Sequence, residues 1–167
     1  MRSTALVRIP VGVVVERRRA RSAWVEFLWR PVAVLCGSPS AEPWTPLDTQ
    51  TESALFYAGD AVIELHRTET TYYRDNLASG TPQLWVALGP TGSEPPYALL
   101  AVTADPAEGE AFTEAGSNLV EAVSMPSDII EIVGQFVARN HVERPFVKRR
   151  RQPAETGNRE GGSEDEA

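Results

Sequence analysis

Leu84-Trp85-Val86-Ala87-Leu88, then Gly89-Pro90-Thr91-Gly92-Ser93-Glu94-Pro95-Pro96, then Tyr97-Ala98-Leu99-Leu100-Ala101-Val102-Thr103 is the stretch that decides the fold class. Two short apolar runs flank a segment dense in Gly and Pro, which reads as an antiparallel hairpin. Asp105-Pro106 follows directly. The aspartate side chain can accept from an orphan helix N–H, and proline is tolerated at the first helical position, so a helix starts there. Gly116 suits the position just past its end. Hairpin followed by helix, without strand–helix–strand alternation, argues for α+β rather than a parallel α/β sheet.

Outward from this stretch, residues 11–16 form a β-branched run that reads as a buried strand. Residues 17–22 read as a polar connection and 29–36 as a second strand, with Pro31 near its start. Residues 37–48 contain Pro39, Pro43 and Pro46 and read as loop. Residues 54–57 and 61–66 read as two strands of a hairpin turning at Gly59-Asp60. Residues 72–79 read as a loop or a single helical turn, and 119–123 as a strand. Ile129, Ile130, Ile132, Val133, Phe136 and Val137 recur at helical spacing and predict a final amphipathic helix ending near His141. The expected architecture is α+β: about seven mostly antiparallel strands in a bent sheet or half-barrel, one short helix and one long C-terminal helix. Residues 9–147 are expected to form one globular domain, behind a flexible leader at 1–8 and ahead of a basic, then acidic, disordered tail at 148–167.

A chain of 167 residues can bury one core. One cysteine, Cys36, excludes an internal disulfide and fits a reducing compartment, and two histidines leave a four-ligand zinc site unsupported. No apolar run approaches the ~20 residues that span a bilayer as a helix, and the short run 11–15 before Arg17-Arg18-Arg19 does not read as a secretory signal. The expected location is the cytoplasm. The net charge of −7 is segregated: residues 1–34 hold seven Arg and two acids, whereas residues 35–136 hold two Arg and fifteen acids. An acidic body argues against general nucleic-acid binding, which draws on phosphate neutralisation.

No catalytic or metal-binding residues emerge. The sequence has no GxxxxGK[ST] motif, and Gly12 lies inside the run 11–15 rather than in a phosphate-cradling loop. Cys36 reads as a small buried hydrophobe rather than a nucleophile. The candidate contact residues for a partner form two clusters. The first is His66, Arg67, Glu69, Tyr72, Tyr73 and Asn76, gathered where the strand 61–66 ends. Strict alternation puts Ile63 and Leu65 on one face and Glu64 and His66 on the other, pairing a carboxylate with an imidazole. The second is His141, Phe146, Lys148, Arg149 and Arg150, a basic segment with an aromatic. Trp29 reads as packing, whereas Trp24 sits among polar residues and is harder to bury.

Five blocks in order resemble one family. They are Val11-Gly12-Val13-Val14-Val15-Glu16-Arg17-Arg18, Trp29-Arg30-Pro31-Val32-Ala33-Val34-Leu35, Glu64-Leu65-His66-Arg67-x-Glu69-Thr70, Val102-Thr103-Ala104-x-Pro106-x-Glu108 and His141-Val142-x-x-Pro145-Phe146-x-Lys148-Arg149. The family is an uncharacterised bacterial one, catalogued as a domain of unknown function, and the resemblance covers residues 9–151. Its genes lie beside those of molybdenum-dependent formate dehydrogenases and their assembly chaperones. The resemblance therefore implies a non-enzymatic accessory protein in maturation or assembly of such a dehydrogenase, with a dehydrogenase subunit or its chaperone as partner and without a cofactor of its own.

Some members carry the label molybdopterin-guanine dinucleotide biosynthesis protein A. That label implies the alternative: a nucleotidyltransferase, or a protein binding molybdopterin guanine dinucleotide, with Arg17, Arg18, Arg67 and Arg74 as phosphate grips. The Gly-rich loop such an enzyme needs is missing from the first strand. The loop Trp24-Val25-Glu26-Phe27-Leu28 also departs from the family, whose members are more polar there.

Overall fold

The computed structural model describes residues 5–141. Within them, seven strands form two open antiparallel sheets accompanied by three α-helices. β1 (Val7–Arg19), β2 (Phe27–Cys36), β3 (Thr45–Thr49) and β4 (Ser53–Leu65) make the larger sheet, in the order β2-β1-β4-β3. β5 (Gln83–Pro90), β6 (Tyr97–Thr103) and β7 (Leu119–Ser124) make the smaller one, in the order β6-β5-β7. β4 lies beside β6 and β2 beside β7, so the sheets wrap one shared core.

Val11, Val13 and Val15 of β1, Ile63 and Leu65 of β4, and Leu84, Val86 and Leu88 of β5 all point into that core. The period of two along each strand places them there, with Glu64 on the opposite, exposed face. α3 (Ser127–Asn140) closes the core with Ile129, Val133 and Phe136, the face predicted from spacing. α2 (Pro106–Phe112) starts as expected, with Asp105 Oδ1 accepting from the Ala107 N–H at 2.9 Å. A 3-10 turn, Thr113–Ala115, then leads into Gly116 at φ 81°. Among the described residues, no helix is long and apolar enough to cross a membrane.

Four expectations are corrected. The strands expected at 54–57 and 61–66 are one strand, β4, which runs along β1 from Arg18↔Ser53 to Val7↔Leu65. Gly59 is no turn residue: at φ 144° it follows the extra residue Ala58 of a β-bulge, where the register shifts between Val13 and Val14. A glycine free to take positive φ serves a turn and a bulge equally, so its identity alone does not separate them.

Residues 45–48, expected as the end of a loop, belong instead to the edge strand β3, where Pro46 needs no inner partner for its missing N–H. The loop or single turn expected at 72–79 is α1, a helix over Thr70–Ala78 preceded by a 3-10 turn, Arg67–Glu69. Its buried residues are Thr70, Tyr73 and Asn76, a helical spacing written in polar side chains, which gives no apolar period to read. Finally, Val7 and Arg8 of the expected leader already belong to β1, and the Leu6 N–H donates to the Leu65 carbonyl at 2.9 Å. The expected tail at 148–167 lies outside the described residues.

Candidate partner-binding site

The first cluster gathers where β4 runs out and α1 begins. His66 is the last residue before the 3-10 turn, and its backbone N–H donates to the Tyr73 hydroxyl at 2.9 Å. The imidazole stays on the outer face beside Glu64, with Nε2 3.5 Å from Oε1, as the alternation predicts. Glu64 also meets Arg8 at 3.6 Å. Arg67 is exposed, and Tyr72 presents 45% of its surface to solvent. Glu69 is half-buried and accepts from Thr68 Oγ1 at 2.9 Å.

Two residues expected to touch a partner are buried instead. Tyr73 is 1% exposed, and its ring meets Phe136 of α3 edge-on with centroids 6.0 Å apart. Burial, with the charges of Asp105, Glu69 and Glu108 adding and the bond from His66 opposing, pushes its phenol up to about 12. Asn76 donates to the Gln83 carbonyl at 2.8 Å and the Ala104 carbonyl at 3.1 Å, and accepts from the Gln83 N–H at 3.0 Å. It ties α1 to the start of β5 and to the entry of α2. Both side chains pin the surface from below, since a buried polar group is retained where its partners are satisfied.

The fold also brings His141 to this corner. At the end of α3 its Nδ1 lies 3.0 Å from Thr70 Oγ1 and its Nε2 3.1 Å from Arg74 Nη1. A guanidinium only donates, so Nε2 accepts and, in the neutral ring, Nδ1–H donates to the threonine. Thr70 was not singled out from the sequence; nothing local marks a threonine that bonds a histidine 71 residues away. Phe146, Lys148, Arg149 and Arg150 lie outside the described residues.

The four arginines named as phosphate grips fall into two places. Val7 pairs with Leu65, at the corner, whereas Arg17 pairs with Ala54 at the far end of the same two strands. Ten residues of extended chain separate those points, roughly 33 Å. Arg17 and Arg18 therefore do not meet Arg67 and Arg74 around one ligand. Arg18 and Arg30 flank Glu16 at 3.3 and 3.5 Å, and the Arg17 guanidinium stacks on aromatic rings.

Fold and site thus define a small α+β protein of two open sheets, with a polar, half-exposed corner pinned by buried side chains. A family model described as protein of unknown function DUF3305 matches residues 10–150, and the chain belongs to that family. No curated protein and no solved structure matches it.

Proposed function

We propose that this chain is a non-enzymatic accessory protein, located in the cytoplasm, which acts through protein–protein contacts in maturation or assembly of a molybdenum-dependent formate dehydrogenase. The partner in this reading is a dehydrogenase subunit or its assembly chaperone. The observation that carries the contact role is the pinned corner. Arg67 and Tyr72 are exposed and His66 half-exposed, while Tyr73 and Asn76 hold the backbone beneath them. A surface already ordered loses little entropy when a partner binds. The choice of partner rests on the resemblance of the five sequence blocks. The alternative of a molybdopterin guanine dinucleotide ligand loses support because Arg17 and Arg18 lie at the end of β1 opposite the corner where Arg67 and Arg74 follow β4.

The test is affinity capture of the tagged chain from its native cells grown with formate and molybdate. Expected is recovery of a dehydrogenase subunit or chaperone, lowered about tenfold by joint substitution of His66 and Arg67 with alanine, at an unchanged melting temperature. Recovery unaffected by the double variant removes the corner as the contact site. Recovery of neither protein, from cells shown to make both, overturns the accessory role.

A further inference from the structure

The far end of the larger sheet carries a second surface. β1 and β2 are joined by residues 20–26, closed by the Ala20 N–H donating to the Glu26 carbonyl at 2.9 Å. Trp24 in this loop is 93% exposed, and Val25 beside it is also open to solvent. Solvent gives a tryptophan no compensation for its large apolar area, so such a side chain is a common anchor in interfaces.

Three arginines, Arg17, Arg19 and Arg21, lead into this loop from the end of β1. The Arg17 guanidinium lies 4.3 Å from the Phe27 ring centroid, 5.2 Å from that of Phe56 and 5.8 Å from that of Trp29. Arg19 lies 5.5 Å from Phe27. Rings stacked on a guanidinium hold it in place and leave its edge N–H groups for planar acceptors. Among the described residues, Arg17, Arg19 and Arg21 have no carboxylate partner, in contrast to Arg18 and Arg30, which share Glu16. Arg19, Trp24, Val25 and Glu26 line a shallow depression of about 360 Å³.

We infer that the β1–β2 hairpin is a docking arm for an acidic protein segment that also carries apolar side chains. Trp24 and Val25 take its apolar groups, and Arg17, Arg19 and Arg21 take its carboxylates. Charge complementarity selects this occupant over an extended polyanion. The Arg19 N–H bonds the Glu52 carbonyl at 2.8 Å, so the β3–β4 turn sits at the base of the hairpin, and Glu26 lies in the loop itself. The body behind them, residues 35–136, holds fifteen acids against two arginines. A phosphate lattice or anionic bilayer would meet those acids as well, whereas a peptide can confine its charges to the arginines. The inference concerns a surface remote from the pinned corner and stands whichever protein docks there.

The test pans a random peptide library against the whole chain and titrates the best synthetic peptide. Expected are selected sequences rich in Asp and Glu alternating with Leu or Phe. Binding is expected to weaken at least about tenfold in Trp24→Ala and, separately, in Arg21→Glu, with melting temperatures unchanged because both side chains are exposed. Selection without acidic bias, or binding indifferent to Trp24→Ala, overturns the inference. Phosphatidylglycerol vesicles and a single-stranded oligonucleotide run alongside; Trp24-dependent binding to either that exceeds peptide binding overturns it in favour of a membrane or a nucleic acid.

Discussion

Gly12 shows how one residue type can be read correctly and still not be understood until the chain folds. Its place inside the first strand excludes a phosphate loop there, but the strand pattern gives no reason for a glycine. The reason is Tyr57: a Cβ at position 12 would lie 2.5 Å from Cε1 and 2.6 Å from the hydroxyl of that ring. The tyrosine belongs to β4, the strand beside β1, is 1% exposed, and donates its hydroxyl to Asp60. Burial, then the bond to Asp60 and its charge, pushes that phenol up to about 12. A methyl group at this position would force the ring or the strand aside. Gly12→Ala is expected to destabilise by about 2 kcal/mol or more, read as a shift in the urea midpoint. Wild-type stability in that variant would mean that the ring yields freely and the contact carries no constraint.

At the scale of elements, α2 was legible because its signals are local, whereas α1 and β4 were not. Asp105 and Pro106 mark the start of α2, and Gly116 the end of the 3-10 turn that follows it, by chemistry that acts within a few residues. Asp105 is nevertheless buried, and this burial raises its carboxyl pKa, with the Ala107 N–H opposing and the charges of Glu69 and Glu108 adding. A raised folded value means that folding favours the protonated form. The stabilisation this represents is fully present below the unfolded value of about 4 and is lost as pH rises through the folded value. Asp105→Asn keeps a good cap without the charge. Its melting temperature relative to wild type is therefore expected to be higher at pH 7 than at pH 4. Asp105→Ala loses the cap, about 1 kcal/mol at pH 4, and a smaller net amount at pH 7, where it also removes the buried charge. An Asn variant that gains nothing between acid and neutral pH would remove the buried charge as a cost. α1, by contrast, is held by Tyr73 and Asn76, whose partners stand on other elements.

Across the whole molecule, the two sheets meet along a seam of aromatic rings. Trp29 of β2 packs against Trp44, Phe56 and Tyr97, with centroids 5.8, 5.9 and 6.4 Å away. Tyr97 belongs to the smaller sheet, so this tryptophan bridges the two. Trp29→Ala is expected to cost about 3 kcal/mol, against no more than about 0.5 kcal/mol for Trp24→Ala at the hairpin tip. Chemical denaturation of the two variants separates them, and equal losses would mean that the seam does not hold the sheets together. The expectation that Trp29 packs and Trp24 resists burial came from their neighbours in sequence; the seam itself did not, because its members are spread from position 29 to 97. The sequence by itself determined the α+β class, five of the seven strands in outline, the start of α2, the apolar face of α3 and the segregation of charge, since each follows from local periodicity, capping or counting. Only the tertiary structure decided that β4 is one bulged strand, that Tyr73 and Asn76 lie beneath the contact surface rather than on it, that His141 joins the first cluster, and that Arg17 and Arg67 sit far apart. Those outcomes depend on strand register and on contacts between distant residues, which side-chain patterns along the chain do not encode one segment at a time.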